Sequence, residues 1–447
     1  MKMNEPHSRR QGAFAIPLDL LFLLLLVPAH MYTGGISFLL VVPLMLYILL
    51  AIWHPLTDYV RLPEKFNKTR LVFLVRLGLI LIMIATAVVH PTLNNIRTRI
   101  ISQVDESGYT EAYADIHDGA IQIESALHFL SNEVNPYVAN YAHTPLQFYG
   151  FSRIEMPTNP AFEHFVYLPG FLLFSYPVFR LFEQHTLPYD QRWIYLAAYV
   201  MFAILLPVMV QQPTLKLTLL AGVALNPLLT RPVMIGMNDV VILLLIFLTI
   251  LTLSQRRLII SAIFLGLACA SKQSAGFFLP FYVLLLQQYV PRANRIKETL
   301  KLLAIVVGVA VIVIGPFVVW NPRAFFLDVF AYPGGAVAIN YPIRGHTLGT
   351  ILVSLGIIPS ALDPFPFWIL QISLGLPLLA ILMRFQWQRN GIGTTLLVAG
   401  IYIFLIGFVS RFFQDNYVGF VIVLILSGIC LMAAEGEPFA MHTKVPE

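Results

Sequence analysis

The stretch IHDGAIQIESALHFLSNEVNPY, residues 116–137, holds His117, Asp118 and Glu124 within otherwise oily sequence. A positioned carboxylate of this kind can take the proton of an attacking hydroxyl, an effect worth roughly 10²–10⁴ in rate. Other polar points also interrupt apolar runs. GMND ends in Asn238 and Asp239 ahead of VVILLLIFLTILTL, and LACASKQSAGFF sets Lys272 and Gln273 between two apolar runs. NYPIRGHTLG supplies Tyr341, Arg344 and His346. An ammonium beside lipid needs a partner, and an anionic headgroup or phosphate is one candidate for Lys272. A planar guanidinium such as Arg344 suits phosphate or carboxylate. In RFFQDNY, Arg411 and Asp415 stand at i, i+4 and are expected to pair with each other.

Each point also has a plainer reading. An aspartate near a helix start accepts backbone N–H bonds and complements the helix dipole, and from the residues alone Asp118 reads more readily as such a cap. Asp239 balances between a cap and a functional acid, because an acid at the hydrocarbon boundary is costly. Lys272 can snorkel to the interface. Gly119, lacking a Cβ, lets a neighbouring backbone or a ligand come close to Asp118. No Cys/His group has zinc spacing, and Asp118 with Asp239 offers fewer oxygens than a hard cation takes. Neither a metal nor a cofactor is therefore expected.

These residues are carried by a chain of 447 residues that is 58% hydrophobic and 11% charged. Runs such as LLFLLLLVPA and GISFLLVVPLMLYILLAIW recur from end to end. Runs of roughly 17–25 apolar residues match the thickness of a bilayer. The fold class is all-α: a polytopic transmembrane bundle of about twelve spans, near 13–29, 35–53, 71–89, 166–182, 193–211, 240–253, 258–271, 275–290, 302–320, 365–383, 393–410 and 418–434. The first run is not expected to be a cleaved signal, since a second hydrophobic run follows at once. Cys269 and Cys430 lie inside apolar runs, which argues against a disulfide framework. Nucleic acid is set aside although the net charge is +5, because the basic residues occupy short turns.

Those turns give sidedness. Lys2, Arg9 and Arg10, then Arg61, Lys65, Lys68 and Arg70, then Arg256 and Arg257, then Arg292, Arg295, Lys297 and Lys301, then Arg384 and Arg389 all fall on one side if the spans alternate, and basic turns face the cytoplasm. Residues 90–165 then face outward, with three basic residues (Arg97, Arg99, Arg153) against nine acids. The apolar segment 215–230 is too short to count as a full span without breaking the alternation. It reads as re-entrant or tilted, as does 347–358. Arg76, inside the third span, is expected to be paired within the bundle or near its end.

Within the outward loop, Ile116, Ala120, Ile123, Leu127 and Leu130 form an apolar stripe at helical spacing. Asp118, Gln122 and Ser125 share another face, and Asn135-Pro136 ends the helix. Such a helix is expected to lie in the membrane interface with its polar face toward water or a groove between spans.

Taken in order, HDGAIQIESALHFLSNEVNPY, LNPLL, IGMND and LGLACASKQSAGFFLPF resemble the GT-C superfamily of integral-membrane glycosyltransferases, and within it family 87, the polyprenyl-phosphate-mannose-dependent mannosyltransferases. The likeness covers residues from about 71 to 290. It implies transfer of a sugar, possible mannose among them, from a polyprenyl-phosphate donor to a glycan or lipid-linked acceptor hydroxyl on the outer face of a cell membrane. The essential acid of the first large external loop matches Asp118, with Asp105, Glu106 and Asp115 close by. Lys272 and Arg344 would stabilise the leaving phosphate, and Asp239, Gln122, Tyr341 and His346 complete the expected substrate-binding set. One base implies inversion, because retention wants a second carboxylate and Glu124 sits on a different helix face. The expected organisation is an N-terminal addition of two spans (1–70), a catalytic membrane module (71–320) containing the loop 90–165, and a C-terminal part (321–447). The rival readings are a secondary transporter or a lipid flippase. The absence of an inverted repeat and the acid-rich outer loop speak against them.

Overall fold

The computed structural model describes residues 17–31, 37–53, 68–102, 115–149, 159–337 and 340–435. Lys2, Arg9, Arg10, Arg61, Lys65, Asp105, Glu106 and Arg153 lie outside the described residues.

Apolar sequence folds here as helix, because a backbone out of water must satisfy its own N–H and C=O groups. The chain runs through α1 (Leu18–Met31), α2 (Ser37–Trp53) and α3 (Lys68–Ile84), the last continuing through a π-turn (Ala85–Val89) into α4 (His90–Ser102). After α5 (Asp118–Ser131) come α6 (Gly170–Gln184), α7 (Arg192–Leu205), α8 (Pro213–Leu219), α9 (Pro227–Ile235), α10 (Asp239–Ser254), α11 (Leu258–Ser271), α12 (Leu279–Leu286) and α13 (Arg295–Trp320). The short helix α14 (Pro322–Phe326) and the single turn α15 (Tyr332–Gly334) lead to α16 (Leu348–Ser354), α17 (Phe367–Gln388), α18 (Ile392–Phe408) and α19 (Asp415–Glu435). Two short strands, β1 (Arg344–Gly345) and β2 (Phe412–Phe413), pair in parallel with Arg344 opposite Phe412.

The all-α expectation holds, and the count of about twelve spans is not confirmed. Among the described residues four helices are long and apolar enough to cross a membrane, or five if one bent pair counts as a span. Most of the remaining expected spans correspond to apolar helices of 10–17 residues, shorter than the roughly 20 residues that a perpendicular crossing takes. The bent pair is the segment expected to be re-entrant or tilted: Pro213–Ala224 and Pro227–Ile235 meet at 51°. The bend has a local cause. Asn226 caps α9 by accepting from the Leu228 N–H at 3.0 Å, Pro227 opens the helix where no donor is needed, and Gly236 closes it at φ +92°. The 347–358 segment is the seven-residue α16, packed in a small cluster with Ile343, Ile358, Ala361 and Phe367.

Helix α5 departs from the interfacial helix expected of it. Every residue from Gly119 to Leu127 is buried, the polar ones included. The polar face is buried because its groups find partners. Gln122 donates to the carbonyls of Ala161 and His164, both at 2.7 Å, and Ser125 bonds the Ile121 carbonyl at 3.0 Å. Glu124 receives Arg99 of α4 at 2.6 and 2.8 Å. Arg99 also reaches Asp190 at 2.9 Å, and Arg192 returns to Asp190 at 2.8 and 2.9 Å. Two arginines and two acids thus form a buried knot that fixes α5 to α4 and to the start of α7. Midway along α3, Arg76 pairs with Asp19 of α1, which also receives the Tyr47 hydroxyl of α2, so Arg76 is paired inside the bundle as expected.

Candidate active site

Several helix ends meet at one cavity of about 820 Å³. Helix α5 begins there with Asp118. The capping residue is His117, not Asp118: its ring Nδ1 accepts the Gly119 N–H at 3.0 Å, and its own N–H donates to the Ile235 carbonyl at 2.6 Å. Asp118 is the first helical residue and accepts the same Gly119 N–H at 2.8 Å. Its side chain is 27% exposed and lines the cavity. A Cβ on Gly119 would collide with the Tyr167 ring, whose Cζ would lie 2.9 Å away, so glycine is what lets this tyrosine stand against the start of α5.

His117 Nδ1 lies 3.0 Å from Asp118 Oδ1. Burial works against the imidazolium, but the Asp118 carboxylate outweighs it and, with Asp239, holds His117 above its ordinary value. Neutral, the ring caps the helix. Charged, it donates to Asp118. A single nitrogen therefore serves either the helix or the carboxylate, and a proton decides which.

Helix α10 begins at Asp239 and α11 ends at Lys272, where the backbone turns extended (φ −151°, ψ 135°) before a 3₁₀ turn over Gln273–Phe278. Lys272 Nζ donates to Asp239 at 2.5 Å and to Asn238 at 3.3 Å, and lies 4.5 Å from the centre of the Tyr417 ring. Asn416 donates to the second Asp239 oxygen at 2.6 Å. Asp239 stands behind Lys272 as its counter-ion, while Lys272 itself faces the cavity.

The cavity gathers Asp118, Gln122, Lys272, Tyr341 and Arg344 from the expected set. Gln122 spends its amide on the two carbonyls named above and so holds the 161–164 segment against α5. His346 is exposed and pairs with Asp415 at 2.6 Å, away from the cavity lining. The expected Arg411–Asp415 pair is thereby replaced. Arg411 is buried and donates to the carbonyls of Tyr341, Asp363 (2.9 Å) and Ala361 (3.1 Å), tying the loops around β1 and β2 together. Burial pulls its guanidinium below the ordinary value, against the pull of Asp363. A loop carbonyl cluster outcompeted the i, i+4 carboxylate because Asp415 starts a helix whose first turn faces His346.

Sequence reading gave no role to His164, Asp328, Asn416 or Tyr417. His164 and Asp328 are 164 positions apart yet bonded at 2.8 Å, and no local spacing announces that. One wall of the cavity is apolar, with Phe330 and Trp368 exposed at 50% and 62%. Among the described residues no group of three or more His, Cys, Asp or Glu side chains is placed to hold a metal ion.

Comparison with known families gives one match: the model of glycosyltransferase family 87 fits residues 165–409, more than half of the 447. No curated protein matches the chain.

Proposed function

The chain belongs to glycosyltransferase family 87, and from that premise we propose that it transfers a sugar, mannose in the simplest case, from a polyprenyl-phosphate carrier to an acceptor hydroxyl at the outer face of a cell membrane. One observation carries the reading: a carboxylate and a lysine, Asp118 and Lys272, share a cavity that also has an exposed apolar wall. That combination suits a donor with a phosphate at one end and an isoprenoid chain at the other.

In the proposed reaction the acceptor oxygen attacks the anomeric carbon. The new C–O bond forms as the bond to the phosphate oxygen breaks, and the phosphate leaves with that electron pair. Asp118 takes the hydroxyl proton. His117, with Nδ1 3.0 Å away, can receive that proton from Asp118 when its ring is neutral. Lys272 keeps one N–H beyond those given to Asp239 and Asn238 and turns it to the phosphate. Arg344 lines the same cavity and adds a second cation. Glu124 is locked to Arg99, and among the described residues Asp118 is the acid that lines the cavity, which favours inversion.

Sidedness follows from the turns. If consecutive helices alternate in direction, the basic turns after α10 and α12 and between α17 and α18 lie at the end opposite the cavity, so basic loops on the cytoplasmic side leave the cavity outside. Family membership favours transfer over a secondary transporter or a flippase.

The test is Asp118→Asn in proteoliposomes supplied with radiolabelled polyprenyl-phosphate sugar and a membrane-lipid acceptor extract. Transfer should fall by roughly 10²–10⁴ with the folded yield unchanged. Wild-type transfer by that variant removes Asp118 as the base, and transfer from a nucleotide sugar instead removes the donor.

A further inference from the structure

We propose that His164, oriented by Asp328, is a binding residue for the phosphate of the lipid donor; the proposal rests on the polyprenyl-phosphate reading above. His164 precedes α6 in a segment that Gln122 clasps through the His164 carbonyl. Its ring is fixed from two sides. Nδ1 bonds Asp328 Oδ1 at 2.8 Å, and the ring stacks on Tyr332 with centroids 4.1 Å apart.

Asp328 is buried and receives the Phe165 N–H on its other oxygen at 2.9 Å. With Asp328 ionised both of its oxygens accept, and Nδ1 is then the protonated nitrogen. Nε2 is left at the opposite edge of the ring. Among the described residues it has no hydrogen-bond partner, and the side chain, 21% exposed, lines the cavity. An oriented imidazole with one nitrogen on a buried acid and the other toward a cavity is poised to become an imidazolium when an anion docks. The carboxylate behind and the phosphate in front then both favour the charged ring.

Position selects the donor phosphate as that anion. Asp328 and Tyr332 belong to the same segment as Phe326 and Phe330, whose side chains are 60% and 50% exposed. His164 is thus rooted in the apolar wall, where a lipid tail would lie, and a headgroup attached to that tail arrives beside it.

The experiment uses the full chain in nanodiscs and titrates farnesyl phosphate and farnesol by calorimetry. Two variants separate the ring nitrogens. His164→Asn keeps an N–H where Nδ1 bonds Asp328 and removes Nε2, whereas His164→Gln puts an amide near Nε2. His164→Asn should weaken farnesyl phosphate binding by about tenfold or more, the size of a lost hydrogen bond to a charged group. Farnesol binding should be unchanged, and His164→Gln should recover part of the loss. Unchanged farnesyl phosphate affinity in His164→Asn overturns the assignment and leaves the donor reading standing. Equal loss for both ligands makes His164 merely structural and also overturns it. A wild type that does not prefer farnesyl phosphate over farnesol removes the donor reading and this proposal together.

Discussion

Helix α5 carries two charged clusters that differ in kind. Around Glu124, two arginines and two acids are buried and pair with one another, with Arg99 2% exposed and Asp190 fully buried. Burial alone would push the Asp190 carboxyl up, but Arg192 and Arg99 outweigh it and hold Asp190 below its ordinary range. Six residues earlier, Asp118 is a quarter exposed, with a histidine beside it and a cavity in front. A closed cluster of balanced charge serves as scaffold. An open one keeps capacity for something else to bind. The same acid chemistry, one and a half turns apart, is fixed in one place and available in the other.

That contrast can be broken most sharply from the closed side. Arg99→Met would leave Glu124 and Asp190 buried with too little positive charge, at a cost of roughly 3–5 kcal/mol. Folded yield in membranes and detergent Tm should collapse, whereas Asp118→Asn loses transfer alone. If Arg99→Met folds normally and loses only transfer, the two clusters are not different in kind.

Lys272 lies between these extremes, since it has a buried partner and also faces the cavity. Lys272→Met should raise the donor KM by about tenfold, as expected for a lost charged hydrogen bond, and should lower the yield by stranding Asp239. Lys272→Met with Asp239→Asn should restore the yield and leave the KM raised. Restoration of both makes Lys272 a scaffold residue.

The smallest effect concerns His117. Its folded value is raised, so the native state holds the proton more tightly than the unfolded chain does. The resulting stability is full below the ordinary histidine value of about 6.5 and fades as pH climbs through the higher folded value. His117→Gln should therefore lower Tm at pH 5.5 by roughly 1–2 °C and by less at pH 8.5. A Tm gap that widens with pH contradicts the Asp118–His117 contact.

Much of this was legible from residue type and spacing. Asp118, Asp239 and Lys272 interrupt apolar runs, and a charge kept in such a place is expensive, so it marks either a helix end or a site. Here it marks both. The short apolar segment 215–230 read as re-entrant or tilted, and it is the bent pair. What stayed hidden depends on long-range partners. The polar stripe Asp118, Gln122, Ser125 reads as water-facing because nothing local says that Ala161 and His164 supply carbonyls to Gln122. Arg411 and Asp415 have ideal spacing for a pair, yet Arg411 turns to loop carbonyls that sit 48 to 70 positions earlier in the chain. The count of about twelve spans is not confirmed for a related reason: several apolar helices among the described residues are shorter than the roughly 20 residues of a perpendicular crossing.

The helical stretch Arg70–Ile101 has an arginine anchored near each end: Arg76 to Asp19, and Arg99 to Glu124. They are 23 positions apart, a rise of about 35 Å at 1.5 Å per residue, against a hydrocarbon layer of about 30 Å. The rod is moored to the protein at two points. Sliding it by one turn, about 5.4 Å, would pull both guanidinium groups off their carboxylates. A force along the rod would strain this mooring first, and through Glu124 the tug would reach Asp118, six places before it at the edge of the cavity.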